Sequence, residues 1–276
     1  MTKVTNTEQR QVWNGWLGEH WVVHPDHYDG LLEGYNAPIL DAAEVGVSSR
    51  VLDVGCGTGQ LTREAAARAR NGSATGVDIS ARMVDAARER ARGMANVSFD
   101  EGDAQIHPFP HGGYDAVVSR GGVMFFDDAV AAFTNFGQAL RGGGRLAFLA
   151  PGPSDPDSEY ARATAVLRPY MTKRSPTTRR MMSLVERDAI HTLLEASGFR
   201  DARVERVGTV ATLGSDPADA AEFVCGQGRV RSCLEEYDDD TRRGVRDELE
   251  EALAAFHTAD GVRVANTACL VSAVRP

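Results

Sequence analysis

The sequence predicts an α/β fold: one mostly parallel sheet of seven strands with helices on both faces, a helical lid at the N-terminus and a helical insertion before the last strand. Three observations carry that expectation. Short apolar runs alternate with segments of helical period between Arg50 and Leu149. A glycine-rich turn, Gly55-Cys56-Gly57-Thr58-Gly59, follows the first of those runs. Ahead of it, all three tryptophans (Trp13, Trp16 and Trp21) crowd together with His20, His24, His27 and Tyr28.

Val51-Leu52-Asp53-Val54 is a short apolar run ending in glycines, the form of a buried parallel strand. Gln60 to Arg70 places Leu61, Ala65 and Ala66 at helical spacing, and Ala74 to Val77 is a second strand. Ser80 is an N-cap for a helix over Ala81 to Arg92, with Met83, Val84 and Ala87 on one face. Val97-Ser98-Phe99 and Tyr114 to Val118 are the third and fourth strands, and a helix covers Ala129 to Leu140. Gly142-Gly143-Gly144 then turns into a fifth strand, Leu146 to Leu149. Past a breaker-rich loop at Pro151 to Pro156, Ser183-Leu184-Val185-Glu186 has the form of a capping box. The helix behind it buries Ile190, Leu193 and Leu194 and stops at Gly198, with Phe199 packing back. Ala202 to Val210 reads as a sixth strand, Ala218 to Phe256 as two or three helices, and Asn266 to Val274 as a seventh strand. The resulting organisation is a lid over residues 1–44, a core over 45–210, an insertion over 211–263 that lines a substrate pocket, and the final core strand over 264–276.

Composition narrows the function. The 276 residues are 42% hydrophobic and 25% charged, an ordinary globular mix. Thirty Lys and Arg stand against 39 Asp and Glu, a net charge of −9, which argues against a protein that coats DNA or RNA. Cys56, Cys225, Cys233 and Cys269 are scattered without a C-x-x-C pair, so no zinc knuckle is expected and a reduced, cytoplasmic protein is. The polar start MTKVTNTEQRQ is no secretion signal, and no apolar run nears the ~20 residues that cross a bilayer.

A strand entering Gly-x-Gly-x-Gly lets a ligand approach bare main chain, because no Cβ intervenes. The dinucleotide fingerprint G-x-G-x-x-G needs glycine at position 60, where Gln60 stands, which speaks against a nicotinamide oxidoreductase. Asp53, just before the glycines, suits a cationic amine better than a pyrophosphate. The stretch Val51 to Gly59 resembles motif I of the class I S-adenosylmethionine-dependent methyltransferases, and the resemblance continues closely to Ala150. It implies a Rossmann-like core and S-adenosyl-L-methionine as cofactor. By the same resemblance, Gly55, Cys56, Gly57 and Gly59 contribute main chain to the cofactor. Asp78 in Thr75-Gly76-Val77-Asp78-Ile79-Ser80 accepts both ribose hydroxyls, in charge-assisted bonds that orient the sugar. Ile79 belongs to the same cofactor-binding second-strand end, and Met83 matches the position that packs on the adenine ring. Asp103 in Gly102-Asp103-Ala104-Gln105 receives the adenine amino group, Ala104 offers its N–H, and Gln105 belongs to the same motif. Ser119 and Arg120 open the segment to Phe126 that lies beside the methionine part and the incoming substrate.

Methyl transfer from a sulfonium is a direct displacement, so the protein mainly aligns and desolvates the reactants. The expected acceptor is a small molecule, in the manner of bacterial enzymes that modify secondary metabolites; O, N and C remain open as the methylated atom, and monomer and homodimer as the assembly. The alternative is a protein that binds the sulfonium cofactor and catalyses a cyclisation or isomerisation without methyl transfer. The tryptophan–histidine cluster either closes over the cofactor as a lid or simply docks a helix on the sheet. His24 and His20 are candidates for a general base, against packing or a metal role for the His20, His24 and His27 series that Pro25 interrupts. Arg120 is a candidate for holding a substrate carboxylate or ordering the lid, against a structural salt bridge. Lys173, Arg174, Arg179 and Arg180 form a basic run read as a solvated loop, and the acidic runs Glu235 to Asp240 and Asp247 to Glu251 as solvated helix faces.

Overall fold

The computed structural model describes residues 4–153, 155–172 and 184–276. Ser183 and the basic run Lys173, Arg174, Arg179 and Arg180 lie outside the described residues. Four short helices precede the sheet: α1 (Thr7–Asn14), α2 (Trp16–Val23), α3 (Pro25–Leu32) and α4 (Asn36–Ala42). The sheet then builds as β1 (Arg50–Val54), α5 (Gln60–Arg68), β2 (Ser73–Asp78), α6 (Ala81–Arg90), β3 (Val97–Glu101), β4 (Tyr114–Arg120), α7 (Ala129–Ala139) and β5 (Leu140–Ala150). After α8 (Glu159–Ala163) and α9 (Arg187–Ala196) come β6 (Arg200–Gly214), α10 (Pro217–Gly226), α11 (Gly228–Leu234) and α12 (Asp239–Ala254). A two-residue β7 (His257–Thr258) and β8 (Gly261–Val274) close the described chain.

The strand order is β3-β2-β1-β4-β5-β8-β6, with β7 paired to β8, so the sheet has eight strands among the described residues where seven were expected. β3, β2, β1, β4 and β5 are parallel, and β8 runs antiparallel to both β5 and β6. The chain leaves β1 toward β2 on one side and returns to β4 on the other. The carboxyl ends of β1 and β4 therefore flank a topological switch point, where open α/β sheets form a crevice.

Both faces of the sheet are covered. On one, Phe133 and Phe136 of α7 and Ile190 and Leu194 of α9 pack on Leu146, Phe148 and Val271. On the other, Ile39 and Leu40 of α4 and Leu61, Ala65 and Ala66 of α5 pack on Val51, Val118 and Ala147. Caps set where helices begin: Ser80 Oγ accepts from Met83 N, and Asp128 Oδ1 from Ala131 N at 2.9 Å.

The principal departure from the sequence reading lies past residue 210. β6 continues to Gly214 and β8 begins at Gly261, so the helical insertion is confined to α10–α12. Ala211 and Leu213 both point inward, and Val210, Ala211, Thr212 and Gly214 pair across the sheet with the segment from Val262 to Ala265, with an irregularity between Thr212 and Gly214, so strand structure continues through a stretch expected to be helical. This extended ladder carries a separate apolar cluster: Tyr28, Leu213, Phe223, Leu249, Leu253 and Val262 bury one another. Beyond the sheet's switch point the cap thus joins α3, α10 and α12 into a second packed unit. Among the described residues, no helix is long and apolar enough to cross a membrane.

Candidate cofactor site at the sheet switch point

A cleft opens over the carboxyl ends of β1, β2 and β4. Its floor is the turn after β1. Gly55 N and Cys56 N both donate to Val77 O, at 2.8 and 3.1 Å, which ties the turn to β2. Gly55 has φ +66°, and a Cβ there would sit 2.7 Å from Gly122 Cα, so only glycine fits between the two loops. Gly57, φ +55°, donates its N–H to Asp78 Oδ2 at 2.9 Å and leaves main chain on the cleft wall. Gly59 starts α5 from behind, against Phe99, and does not line the cleft. Cys56 lines it, but burial pushes the thiol well above its ordinary range, so it is a packed side chain and not a nucleophile.

Three acids converge on this floor. Asp53, at the end of β1, is buried and accepts from Thr62 Oγ1 at 2.6 Å through Oδ2. Its Oδ1 has no hydrogen-bond partner among the described residues. Burial raises the carboxyl to about 6 against the pull of Thr62 and Arg120. Asp78, at the end of β2, accepts from Gly57 N through Oδ2 and from Ser80 N through Oδ1, each at 2.9 Å. Burial raises it as well, opposed by those N–H donors. Asp103, after β3, is different. Burial pushes it up, but Oδ2 accepts from Thr5 N, Thr5 Oγ1 and Asn6 N, and Oδ1 from Asn6 Nδ2 at 2.6 Å and Gln105 N at 3.2 Å, and these bonds hold it below the usual range. Five donors fill the roughly four acceptor sites of a carboxylate.

A family model described as a methyltransferase domain matches residues 51–144. Aklanonic acid methyltransferase of Streptomyces sp. (strain C5) is 37% identical over 116 residues, which is 41% of this chain and 53% of that protein. Nocamycin O-methyltransferase of Saccharothrix syringae is 33% identical over 126 residues, 45% of each chain. The chain spans about half the length of these two relatives. Among solved structures, phosphoethanolamine N-methyltransferase 2 of Haemonchus contortus, in complex with phosphomonomethylethanolamine and S-adenosylhomocysteine, superposes with a TM-score of 0.59 at 19% identity. That match covers 96% of this chain and 60% of the other, and it is a likeness of fold. Residues 51–144 form a methyltransferase domain.

Around the methyltransferase domain, Ile79, Met83, Ala104 and Arg120 also line the cleft. The Arg120 side chain is only 9% exposed. Its guanidinium donates to Asn36 Oδ1 at 2.9 Å and to Gln60 Oε1, and lies 3.8 Å from Asp29 Oδ1. Burial lowers its pKa, and Asp29 and Asp53 oppose that. Arg120 is thus both a salt-bridge partner of the lid and the cation on the cleft wall.

Several expected site residues stand elsewhere. Ser119 Oγ donates to Val54 O at 2.7 Å and accepts from Gly122 N, so it braces the floor from below. Gln105 Oε1 accepts from Asn6 Nδ2 and Asp128 N, fastening loops together rather than facing the cleft. His20 and His24, expected as general bases, are not on the cleft wall. Pro25 starts α3 and turns the chain, which carries both rings against Phe223 of the cap. His20 Nδ1 lies 2.9 Å from Tyr28 OH, and burial, with smaller contributions from His24, Arg231 and His27, lowers its pKa to about 4. No group of three or more His, Cys, Asp or Glu among the described residues is placed to hold a metal ion.

Asn6 and Gln9 of the N-terminal segment line the wall without a signal of their own in the sequence reading, while Phe125 and Phe126 lie on it within the segment after β4 that was expected beside the methionine part. With Trp13 and Trp21 they roof the cleft, and Trp13 meets Phe125 edge-on at 5.4 Å between centroids. Asn6, Gln9 and Trp13 stand at i, i+3 and i+7, a helical spacing visible in the sequence that marks one inward face.

Proposed function

We propose that this protein transfers a methyl group from S-adenosyl-L-methionine to a small-molecule acceptor, a secondary metabolite, at an oxygen atom. The observation that carries the reading is the unpartnered Oδ1 of buried Asp53 beside a bare glycine turn and the buried carboxylate of Asp78. Such an oxygen calls for a cationic donor, and the ammonium of an amino-acid tail fits it. Arg120 is the cation on the same wall and pairs with the carboxylate of that tail. Asp78 holds the ribose, and Gly55 and Gly57 offer main chain where a side chain would intrude. When bound, the cofactor supplies an electrophilic methyl group on sulfur.

The rest of the work falls to the chain. Trp13, Trp21, Phe125 and Phe126 form an aromatic roof that excludes water and packs on an apolar, ring-bearing acceptor. The roof and the acids together align an acceptor over the floor, and alignment is worth ~7–11 kcal/mol in displacement reactions. The names of the two relatives support an acceptor from secondary metabolism, and nocamycin O-methyltransferase supports oxygen as the methylated atom. The net charge of −9 favours a metabolite over a nucleic acid, and four free thiols suit the cytoplasm.

Incubation with methyl-labelled cofactor and a panel of hydroxylated aromatic acceptors tests this. Label in the product, with S-adenosylhomocysteine released in equal amount, is the expected result. A substrate converted without label would replace the reading with a cyclisation or isomerisation.

A further inference from the structure

Helix α1 is fastened at both ends to the strands that frame the cleft. At its start, Asn6 grips Asp103 after β3 and accepts from Asp127 N at 2.6 Å. At its end, Trp13 O accepts from Ser80 Oγ at 2.8 Å, Asn14 Oδ1 accepts from Ala81 N at 3.1 Å, and Asn14 Nδ2 donates to Ile79 O. The helix therefore spans from the end of β3 to the end of β2. Midway along this span, on the cleft side, stands Gln9. It is 2% exposed, and neither Oε1 nor Nε2 has a hydrogen-bond partner among the described residues. A buried amide with both ends unpaired is a costly arrangement unless a ligand completes it.

We propose that Gln9 reads the adenine base of the cofactor from above, through the edge bearing the amino group and N7. This rests on the cofactor reading just given. The end of β2 takes the ribose at Asp78, so the base extends toward β3 beneath α1. Asp103 has committed its carboxylate to Thr5, Asn6 and Gln105, which leaves it no spare acceptor site for the base while the lid is down. The work that the family resemblance assigns to Asp103 passes to the lid. A glutamine amide carries a donor and an acceptor side by side, and adenine offers the complementary pair in its N6 amine and N7. Asp103 becomes the latch of the lid, and Gln9 the group by which the lid senses that the base is in place.

The test is calorimetric and needs no acceptor. S-adenosylhomocysteine and its 7-deaza analogue, which lacks the N7 acceptor, are titrated into the wild-type protein, Gln9→Leu, Gln9→Glu and Asp78→Ala. The wild type is expected to bind the 7-deaza analogue about tenfold more weakly, the scale of one hydrogen bond. Both Gln9 variants are expected to bind the two ligands equally, Gln9→Glu because it keeps an acceptor for the amine but offers no donor to N7. Tryptophan fluorescence gives a second readout, since all three tryptophans lie in the lid: S-adenosylhomocysteine should change emission in the wild type more than in Gln9→Leu. Wild-type binding without N7 discrimination, or discrimination that survives in both Gln9 variants, overturns the proposal while a weakened Asp78→Ala leaves the cofactor reading standing. A folded wild type that binds neither ligand overturns both.

Discussion

The floor and the roof of the cleft face the same ligand, but they are built over different distances along the chain. The floor comes from the turn after β1 and the ends of β2 and β4. Each contributes a few consecutive residues whose roles follow from local geometry: a glycine where φ is positive, an acid where a parallel strand stops. The roof comes from helices α1 and α2 and the segment after β4, which meet because Asn6 finds Asp103 and Asp127, 97 and 121 positions away, and Asn14 finds Ile79 and Ala81. A floor residue acts mainly through the main chain or a fixed carboxylate. A roof residue acts only when the lid is seated. Substitutions in the floor should therefore abolish or weaken cofactor binding outright, and those in the roof should retune it.

The sharpest way to break that contrast is Gly55→Val. Its Cβ would meet Gly122 Cα at 2.7 Å in a conformation valine disfavours. We expect no measurable heat with S-adenosylhomocysteine and a loss of at least about 2 kcal/mol of stability by thermal unfolding. Asp78→Ala comes next. It removes an ionised acceptor from the sugar and should weaken S-adenosylhomocysteine by ~10–100-fold in calorimetry, the scale of hydrogen bonds to a charged group.

The legible part of the site was the part made of short range. Asp53, Gly55, Cys56, Gly57, Thr58, Asp78 and Met83 are found on the cleft because strand, turn and cap signals lie in adjacent residues, whereas Gly59 shapes the turn from behind. Ser119 and Gln105 belong to matching motifs, yet both point away from the cleft, into hydrogen bonds that brace it, since a motif places the main chain before it places a side chain. The three histidines at i, i+4 and i+7 drew attention by spacing alone. Pro25 ends that face, and the distant Phe223 decides where the rings go. In the fold, the parallel strands were readable from their apolar runs, whereas the long β6–β8 ladder was cut short because its outer half is supported by the cap helices rather than by the sheet.

Acid strength sharpens the comparison further. Asp53 stands at about 6 in the fold against an ordinary 3.8, so the folded state holds its proton over a range in which the unfolded chain has lost it. As pH rises through that window, this one group withdraws stability, on the order of 3 kcal/mol in all. A bound ammonium favours the ionised carboxylate and reverses the balance. Affinity for S-adenosylhomocysteine should therefore fall about tenfold from pH 7.5 to pH 5, with proton release visible as a dependence of the calorimetric heat on buffer. Asp53→Asn should bind weakly at both pH values with little slope. The smallest effect belongs to His24→Ala. Because His24 stands off the cleft, S-adenosylhomocysteine affinity and methyl-transfer rate should each stay within about twofold of wild type; a tenfold loss of rate at unchanged affinity would return it to the role of general base.

The central claim is that the cleft above β1 and β4 takes an adenosyl amino acid with its ammonium on Asp53. A crystal structure with S-adenosylhomocysteine measures this directly. The account predicts the amino nitrogen within hydrogen-bonding distance of Asp53 Oδ1 and the ribose hydroxyls on Asp78. A ligand seated elsewhere, or one that leaves Asp53 Oδ1 without a donor, would contradict it.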